Sequence, residues 1–468
     1  MSALPSLRIA LILLRAEWFD SVVALPELVD AVQEDERLIR AFLSQSFQIA
    51  ACWAVNSPTS LRTCVQEMKT LDADLFILTF QVWAEDFYLN PIVEALAGRP
   101  LAVWCYLPWD RPPQPASFIQ VLRGSGPVGS FEGLGTLRNL GVEFSFTHGS
   151  LQAPRVLRDL EIAARAGQVH RKLRSARFGL LPARNEQMQS TYVDEFRLRS
   201  ELGPQVVYLS VAELARASAS LNQREVQEYL QHLRENYPIR GVEPDDLELA
   251  GRTSLGLAHL AVDQHLDVLS LNDIDPELHE TLGLRPCLYP PFLEQHETAL
   301  GLEGDLGAAT ALFIMRHLAS PPTFFVEIWY WDETENVIIG GHAGVQDPAV
   351  APPGQAWISH DYEFAQSDRS RGAHFQFIAR SGRVTLLQLR GTPTGWQALL
   401  SGGECLDWPP RLEGYPHAAI RLDAPIDTFV RRVAAAGSTQ HWIMAYADVR
   451  AEVQALCRLM DIALETIE

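Results

Sequence analysis

Glu303, Glu327, His342 and His441 are the side chains whose type and setting could do chemistry. Glu303 lies in GLEGDLGAATALFIM, just ahead of an apolar helix expected to begin near Leu306. Its plainest role there is to sit at the positive N-terminus of that helix. Glu327 lies in PTFFVEIWYW. On a strand, Phe325, Glu327 and Trp329 share one face while Phe324, Val326 and Ile328 share the other, so the carboxylate has apolar neighbours whichever face is buried. A buried charged Glu is costly unless it is paired or metal-bound; the alternative is a wet, merely amphipathic face. His342 occupies the small-residue turn Gly340-Gly341-His342-Ala343-Gly344, which lets backbone and ligand approach around one imidazole. His441, in GSTQHWIMAYADV, stands at the entry to a strand that reads as buried, where a lone histidine is more often a satisfied core residue than a ligand. Taken together, two carboxylates and two neutral imidazoles make a hard-to-borderline O/N set suited to Mn²⁺, with Mg²⁺, Co²⁺ and Zn²⁺ as alternatives. Spacing alone does not establish the site, because no pair lies at a helical i, i+3 or i+4 separation.

The elements that must position these residues follow from periodicity. In the first 150 residues, short apolar runs (7–14, 48–55, 73–81, 101–107) alternate with stretches of helical spacing (22–45, 59–71, 88–98), which predicts a parallel, doubly wound sheet. The Gly/Pro-rich passage Arg123 to Gly135 reads as a loop after the fourth strand, where open α/β sheets place ligands, or as plain surface loop. A charged helix near 153–174 leads into a second β-α series, with strands at Phe178–Leu181, Gln205–Leu209 and Asp267–Leu271 and helices at 222–236 and 245–266. From about 321, strand-like runs (Thr323–Trp331, Val337–Gly341, Phe375–Ala379, Val384–Leu389) replace the helices, and an amphipathic helix, Val449–Ile467, closes the chain. The expected fold class is α/β: Rossmann-like domains over 1–170 and 171–320, the second carrying Glu303, and a β-rich C-terminal domain over 321–468 carrying the other three residues.

Composition removes other chemistries. The chain has 468 residues, room for about three domains at roughly 150 each. Its 38 basic and 58 acidic side chains give a net charge of −20, a surface that repels phosphate backbones and anionic lipid, so neither a nucleic-acid nor a membrane partner is expected. Lys69 and Lys172 are the only lysines and neither sits in a GK[ST], which excludes a Walker A loop and leaves two candidates for a Schiff base. The six cysteines are scattered and form no C-x-x-C, the usage of a reduced, cytoplasmic protein. The apolar run Leu7–Leu14, interrupted by Arg8, reads as a first strand and not as a secretory signal.

At the four candidate residues the chain resembles the L-fucose isomerase and L-arabinose isomerase superfamily of metal-dependent aldose-ketose isomerases. GLEGDLGAATALFIMRHL followed by PPTFFVEIWYW is similar to the family's two metal-binding acids, one before a helix and one on the next strand. GGHAG is similar to an arabinose-isomerase-type histidine loop, GSTQHWIMAYADVRAEVQALCRLMDI to the family's C-terminal histidine, strand and final helix, and ARFGLLPARNEQMQSTYVDEFRLRSELGPQVVYLS to the opening of its middle domain. The resemblance implies Glu303, Glu327, His342 and His441 as metal ligands. It also implies Glu303 and Glu327 as the acid/base pair that moves a proton between C1 and C2 of an open-chain sugar through a metal-stabilised ene-diol. A homo-oligomer, trimer or hexamer, with active sites shared between subunits is implied as well. The segment PARNEQMQ departs from the arabinose isomerase pattern, so the sugar does not carry over; the polar run Arg184 to Gln189 and the loop Arg123–Gly135 are where hydroxyl-binding residues are expected.

The leading expectation is a cytoplasmic isomerase of an unphosphorylated pentose or deoxyhexose. A non-catalytic sugar-binding member of the superfamily, or a metal-dependent epimerase or lyase using the same intermediate, are the alternatives. The isomerase reading requires Glu303 and Glu327 to meet, whereas a pure binder has no need of two acids facing one metal: carboxyl oxygens more than about 8 Å apart could not share an ion at coordination distances of roughly 2.0–2.6 Å.

Overall fold

Short apolar runs alternating with amphipathic ones become, in the first part of the chain, a five-stranded parallel sheet: β1 (Arg8–Leu14), β2 (Gln48–Val55), β3 (Leu75–Phe80), β4 (Leu101–Tyr106) and β5 (Ser145–Gly149), in the order β2-β1-β3-β4-β5. The computed structural model describes residues 6–23, 25–290, 293, 296–364 and 371–468. Alternate residues of β1 and β3 feed two cores, Ala10, Ile12, Phe76 and Leu78 on one face and Ile9, Leu11, Leu75 and Ile77 on the other. Both faces are therefore covered, which is why these strands read as unbroken apolar runs. The helix expected over 22–45 runs from Pro26 to Leu43, because Leu25 is extended and Pro26 sets the first helical φ. A π turn, Phe19–Val23, precedes it, and residue 24 lies outside the described residues.

The passage Arg123 to Gly135 is not a loop. It forms the end of a helix, Phe118–Arg123, and most of another, Gly126–Asn139. Its glycines serve close packing: a Cβ at Gly129 or Gly133 would lie 2.6 Å from the Phe80 ring. The helix needs them to lie against β3, an approach that composition alone reads as loop character.

The chain divides into two units, one comprising the residues up to Arg171 with Ala451–Leu459, the other Lys172–Arg450 with Met460–Glu468. The second unit opens with another parallel sheet built from β6 (Arg177–Leu181) and β7 (Gln205–Tyr208). A two-residue strand, β8 (Ile239–Arg240), leaves that sheet, which continues with β9 (Val268–Leu271) and β10 (Ala299–Leu302) in the order β10-β9-β6-β7. The apolar helix Leu306–Ala319 follows β10 and is buried almost throughout.

Next come β11 (Thr323–Asp332), β12 (Val337–Gly341), β13 (Trp357–His360), β14 (Ala373–Gln376), β15 (Gly382–Thr392), β16 (Gly395–Cys405), β17 (His417–Leu422), β18 (Trp442–Ala445) and β19 (Ile462–Ile467). The ring β15-β18-β11-β12-β17-β16 closes through β15–β16 into a barrel, while β14, β13 and β8 form a separate small sheet. The run Phe375–Ala379 thus divides: Phe375 and Gln376 end β14 of that small sheet, and Ile378 bridges His417 at the start of β17. The helix expected over Val449–Ile467 also divides: it runs from Arg450 to Leu459, Asp461 takes a positive φ of 52°, and Ile462–Ile467 pairs in parallel with Trp396–Ser401 of β16. An apolar residue at each end of IALETI suits either periodicity, and the open edge of β16 decides for strand. The six cysteines are unpaired, and no helix among the described residues is long and apolar enough to cross a membrane.

Candidate metal centre

Strand pairing brings three of the four residues together. β11 changes partner midway: Thr323–Val326 pair with Ala445–Trp442 of β18, whereas Glu327 onward pairs with β12, starting at Gly341. Glu327 stands where the pairing switches, His342 one residue past the end of β12, and His441 one residue before β18. Antiparallel register therefore delivers one imidazole from each side to the carboxylate on the central strand. A register shift between Ile328 and Tyr330 follows at once, with the Trp329 indole donating to the Gly341 carbonyl at 2.9 Å. Such bulges commonly re-aim side chains beside functional sites.

Glu303 arrives from the carboxyl end of β10. Its φ is +56°, a left-handed conformation that a non-glycine residue adopts at a cost of about 1–3 kcal/mol and that clusters at functional sites. It does not cap the helix behind it. Asp305 does, its Oδ1 accepting from the Ala308 amide at 2.9 Å.

The ligand atoms of Glu303, Glu327, His342 and His441 lie within 4.8 Å of one another. His441 Nε2 is 2.9 Å from Glu303 Oε2 and 3.9 Å from Glu327 Oε1; His342 Nε2 is 3.8 Å from Glu303 Oε1 and 4.0 Å from Glu327 Oε2. Phe325, almost fully buried, meets both imidazoles edge to face, at 5.4 Å from His342 and 4.8 Å from His441. It wedges the rings apart and holds their nitrogens toward the acids.

The donor set fits a divalent cation. His342 Nδ1 lies 2.7 Å from the Ala343 carbonyl, which makes Nδ1–H the donor and leaves Nε2 turned toward two carboxylates. That Nε2 is buried and has no hydrogen-bond partner. A divalent cation between that nitrogen and the carboxylate oxygens would satisfy both.

On the other side, His441 Nδ1 is 2.8 Å from Asp305 Oδ2, so one carboxylate both caps the helix and fixes the orientation of this ring. Burial lowers the His441 pKa, but the hydrogen bonds that the ring donates to the Asp305 and Glu303 carboxylates outweigh it and raise the ring to about 10. Burial pushes the Glu303 carboxyl up, but the His441 hydrogen bond, with the positive charge of His441 and Arg285 nearby, carries it below its ordinary value. In this state a proton on His441 supplies part of the positive charge that the two acids require.

Asp273, at the carboxyl end of β9, backs the centre. Its Oδ1 accepts from the Glu303 amide at 3.4 Å, and Gly344 makes room for it, since a Cβ there would lie 2.9 Å from Asp273 Oδ2. Burial raises the Asp273 carboxyl to about 6, against the pull of Arg285. Arg285 is itself 2 % exposed, bonded to both Asp361 carboxylate oxygens (2.8 and 2.9 Å) and to Glu363. The structure thus gathers all four residues singled out in the sequence, and adds Asp305, Asp273 and Arg285. Only Asp305 had a local signal, as an Asp ahead of an apolar helix, and that signal names a cap rather than a partner for His441.

Fold and site define a mixed α/β protein with a buried centre of two glutamates and two histidines that could hold one divalent ion. No protein-family model matches the chain. Curated relatives bear one name. The chain is similar to the sulfoquinovose isomerase of Priestia aryabhattai (22% identity over 427 residues, 88% of this chain and 91% of that protein) and to that of Clostridium sp. strain MSTE9 (22% over 356 residues, 74% and 77%). Its match to the sulfoquinovose isomerase of Alkalicoccus urumqiensis, 25% over 200 residues, covers 41% of this chain and only 43% of that relative.

Proposed function

We propose that this protein is a metal-dependent aldose-ketose isomerase of the L-fucose/L-arabinose isomerase type, with its two parallel-sheet segments Rossmann-like and its domains divided near 170 and 320. The convergence of two carboxylates and two imidazoles within 4.8 Å carries the reading. The relatives' shared name supports an isomerase and shifts the expected substrate from an unphosphorylated pentose or deoxyhexose toward a hexose bearing a sulfonate.

Glu303, Glu327, His342 and His441 would hold the ion, Mn²⁺ by preference. When bound, it supplies a Lewis acid that polarises the sugar carbonyl. The protein's own groups move the proton between C1 and C2. Glu327 suits the exchange: its side chain is 24 % exposed and makes no hydrogen bond among the described residues, so an oxygen is free to face a sugar carbon. Glu303 is held by His441 and serves as the second acid/base group, taking or returning the hydroxyl proton as the ene-diol forms and collapses. Asp305, Asp273 and Phe325 keep these groups oriented while the sugar binds. The exposed run Trp329 (46 %), Tyr330 and Trp331 (44 %) beside Glu327 supports the oligomer with shared sites, trimer or hexamer, implied by the resemblance. The same proposal places the protein in the cytoplasm.

The test is an aldose panel that includes sulfoquinovose, run with Mn²⁺-loaded protein and ketose as the readout. One aldose should be converted, and Glu303→Gln and Glu327→Gln should each lower kcat at least about a thousandfold with the melting temperature retained. No stoichiometric Mn²⁺ and no sugar-dependent shift in melting temperature would overturn it.

A further inference from the structure

We infer that the loop between β6 and Gln189 is the substrate-recognition loop, and that Arg184 within it pairs with a strongly acidic group on the sugar at the end remote from the reacting carbonyl. The inference rests on the isomerase reading and names the substrate class for that site.

The loop is built against the metal centre from two sides. Gly304, next to Glu303, has a φ of +67°, and a Cβ there would lie 2.7 Å from the Ala183 carbonyl, 2.9 Å from Arg184 Cα and 3.1 Å from the Asn185 amide. The backbone of Arg184 therefore abuts the turn that presents Glu303. At the other side, Gln440, next to His441, donates from Nε2 to the Met188 sulfur at 3.1 Å. Both neighbours of the loop are chain neighbours of ligands.

The loop is also held in one shape. Asn185 is buried and its Oδ1 accepts from the Gln187 amide at 3.0 Å, while the Met188 amide reaches the Asn185 carbonyl. The Tyr192 hydroxyl donates to the Glu186 carbonyl at 2.7 Å, and the Arg184 guanidinium stacks over that same Tyr192 ring at 4.2 Å. Arg184 is exposed and makes no ion pair among the described residues, so its donors remain available to a ligand. A guanidinium pre-oriented on a ring loses little side-chain freedom on meeting a sulfonate or phosphate, which it can bind through two parallel hydrogen bonds.

Charge bookkeeping at the site leads the same way. Glu303, Glu327, Asp273 and Asp305 surround the centre with carboxylates, and the buried Arg285 is already engaged by Asp361, Glu363 and Asp273. An anionic sugar entering here meets these carboxylates, and with lysine confined to positions 69 and 172 an arginine is the natural further cation. Arg184, exposed on the loop whose backbone abuts Gly304 and stacked on Tyr192, meets the requirement without an ion pair among the described residues.

The experiment compares the Mn²⁺-loaded wild type with Arg184→Gln and Arg184→Lys on sulfoquinovose, glucose 6-phosphate and 6-deoxyglucose, by steady-state kinetics and by calorimetric binding. The expected result is that Arg184→Gln lowers the ratio of kcat/KM for the anionic sugar over 6-deoxyglucose by about ten- to a hundredfold, mainly through KM, with Arg184→Lys in between. Which anionic sugar loses most decides between sulfonate and phosphate. An unchanged ratio in Arg184→Gln, or a wild type that prefers 6-deoxyglucose, overturns the inference while leaving the isomerase reading intact. A wild type that converts none of the three is judged by calorimetry: anionic sugar binding lost in Arg184→Gln sustains the inference without the isomerase reading, and no binding refutes it.

Discussion

Asp305 shows how one carboxylate can serve two elements: Oδ1 caps a helix and Oδ2 orients His441 of the candidate metal centre. The two roles separate by substitution. Asn is as good an N-cap as Asp but offers His441 no charge. Asp305→Asn is therefore expected to keep the melting temperature within a few degrees and to weaken Mn²⁺ binding about 10- to 100-fold, measured by calorimetry. Asp305→Ala should in addition lose about 1 kcal/mol of stability. His441 carries a second prediction. Its folded pKa is raised to about 10, so at neutral pH the metal-free ring is protonated, and Mn²⁺ must displace that proton from Nε2. Mn²⁺ uptake at pH 7 should release about one proton, read from calorimetry in buffers of different ionisation enthalpy, and affinity should rise as pH rises toward 9. Uptake without proton release would show that His441 is neutral beforehand.

At the scale of elements, the informative comparison is the helix Gly126–Asn139. Helix propensity alone says that Gly133→Ala gains about 1 kcal/mol. The structure predicts the opposite sign, because the added Cβ would meet the Phe80 ring at 2.6 and 2.8 Å. Overpacking of this kind costs about 1–3 kcal/mol, and urea unfolding of Gly133→Ala should show a loss in that range. Glycine content signals loop in a sequence window, whereas here it records how close a helix lies to a strand. The C-terminal segment teaches the complementary lesson. The Arg450–Leu459 helix was legible from its apolar stripe, but Ile462–Ile467 became strand because β16 offers it an edge.

For the molecule as a whole, one buried and one half-buried neutral histidine set the response to acid. Burial lowers both His374 and His317 to about 4, from an ordinary value near 6.5. Unfolded, each binds a proton below about 6.5; folded, neither does until about 4. Stability is therefore full above pH 6.5 and falls as pH drops from 6.5 to 4, by about 1.4 kcal/mol per pH unit for a fully buried histidine. Urea midpoints measured between pH 7.5 and 4.5 should fall along this course, and His374→Gln should flatten part of it. A midpoint constant between pH 7 and 5 would refute the assignment.

The sequence by itself determined the apolar runs that had to be strands, the start of the helix at Leu306, the exclusion of a Walker A loop, and the four side chains whose types could together hold a cation. These are local properties, readable from residue type and periodicity. What only the tertiary structure decided is their meeting. His342 and His441 reach Glu327 because β11 exchanges β18 for β12 at that residue, and register between strands distant in the chain leaves no mark in any window of sequence. Asp273 and Arg285 were hidden for the same reason: an acid after an ordinary parallel strand becomes a support for Glu303 only when the carboxyl end of its neighbour lies beside it.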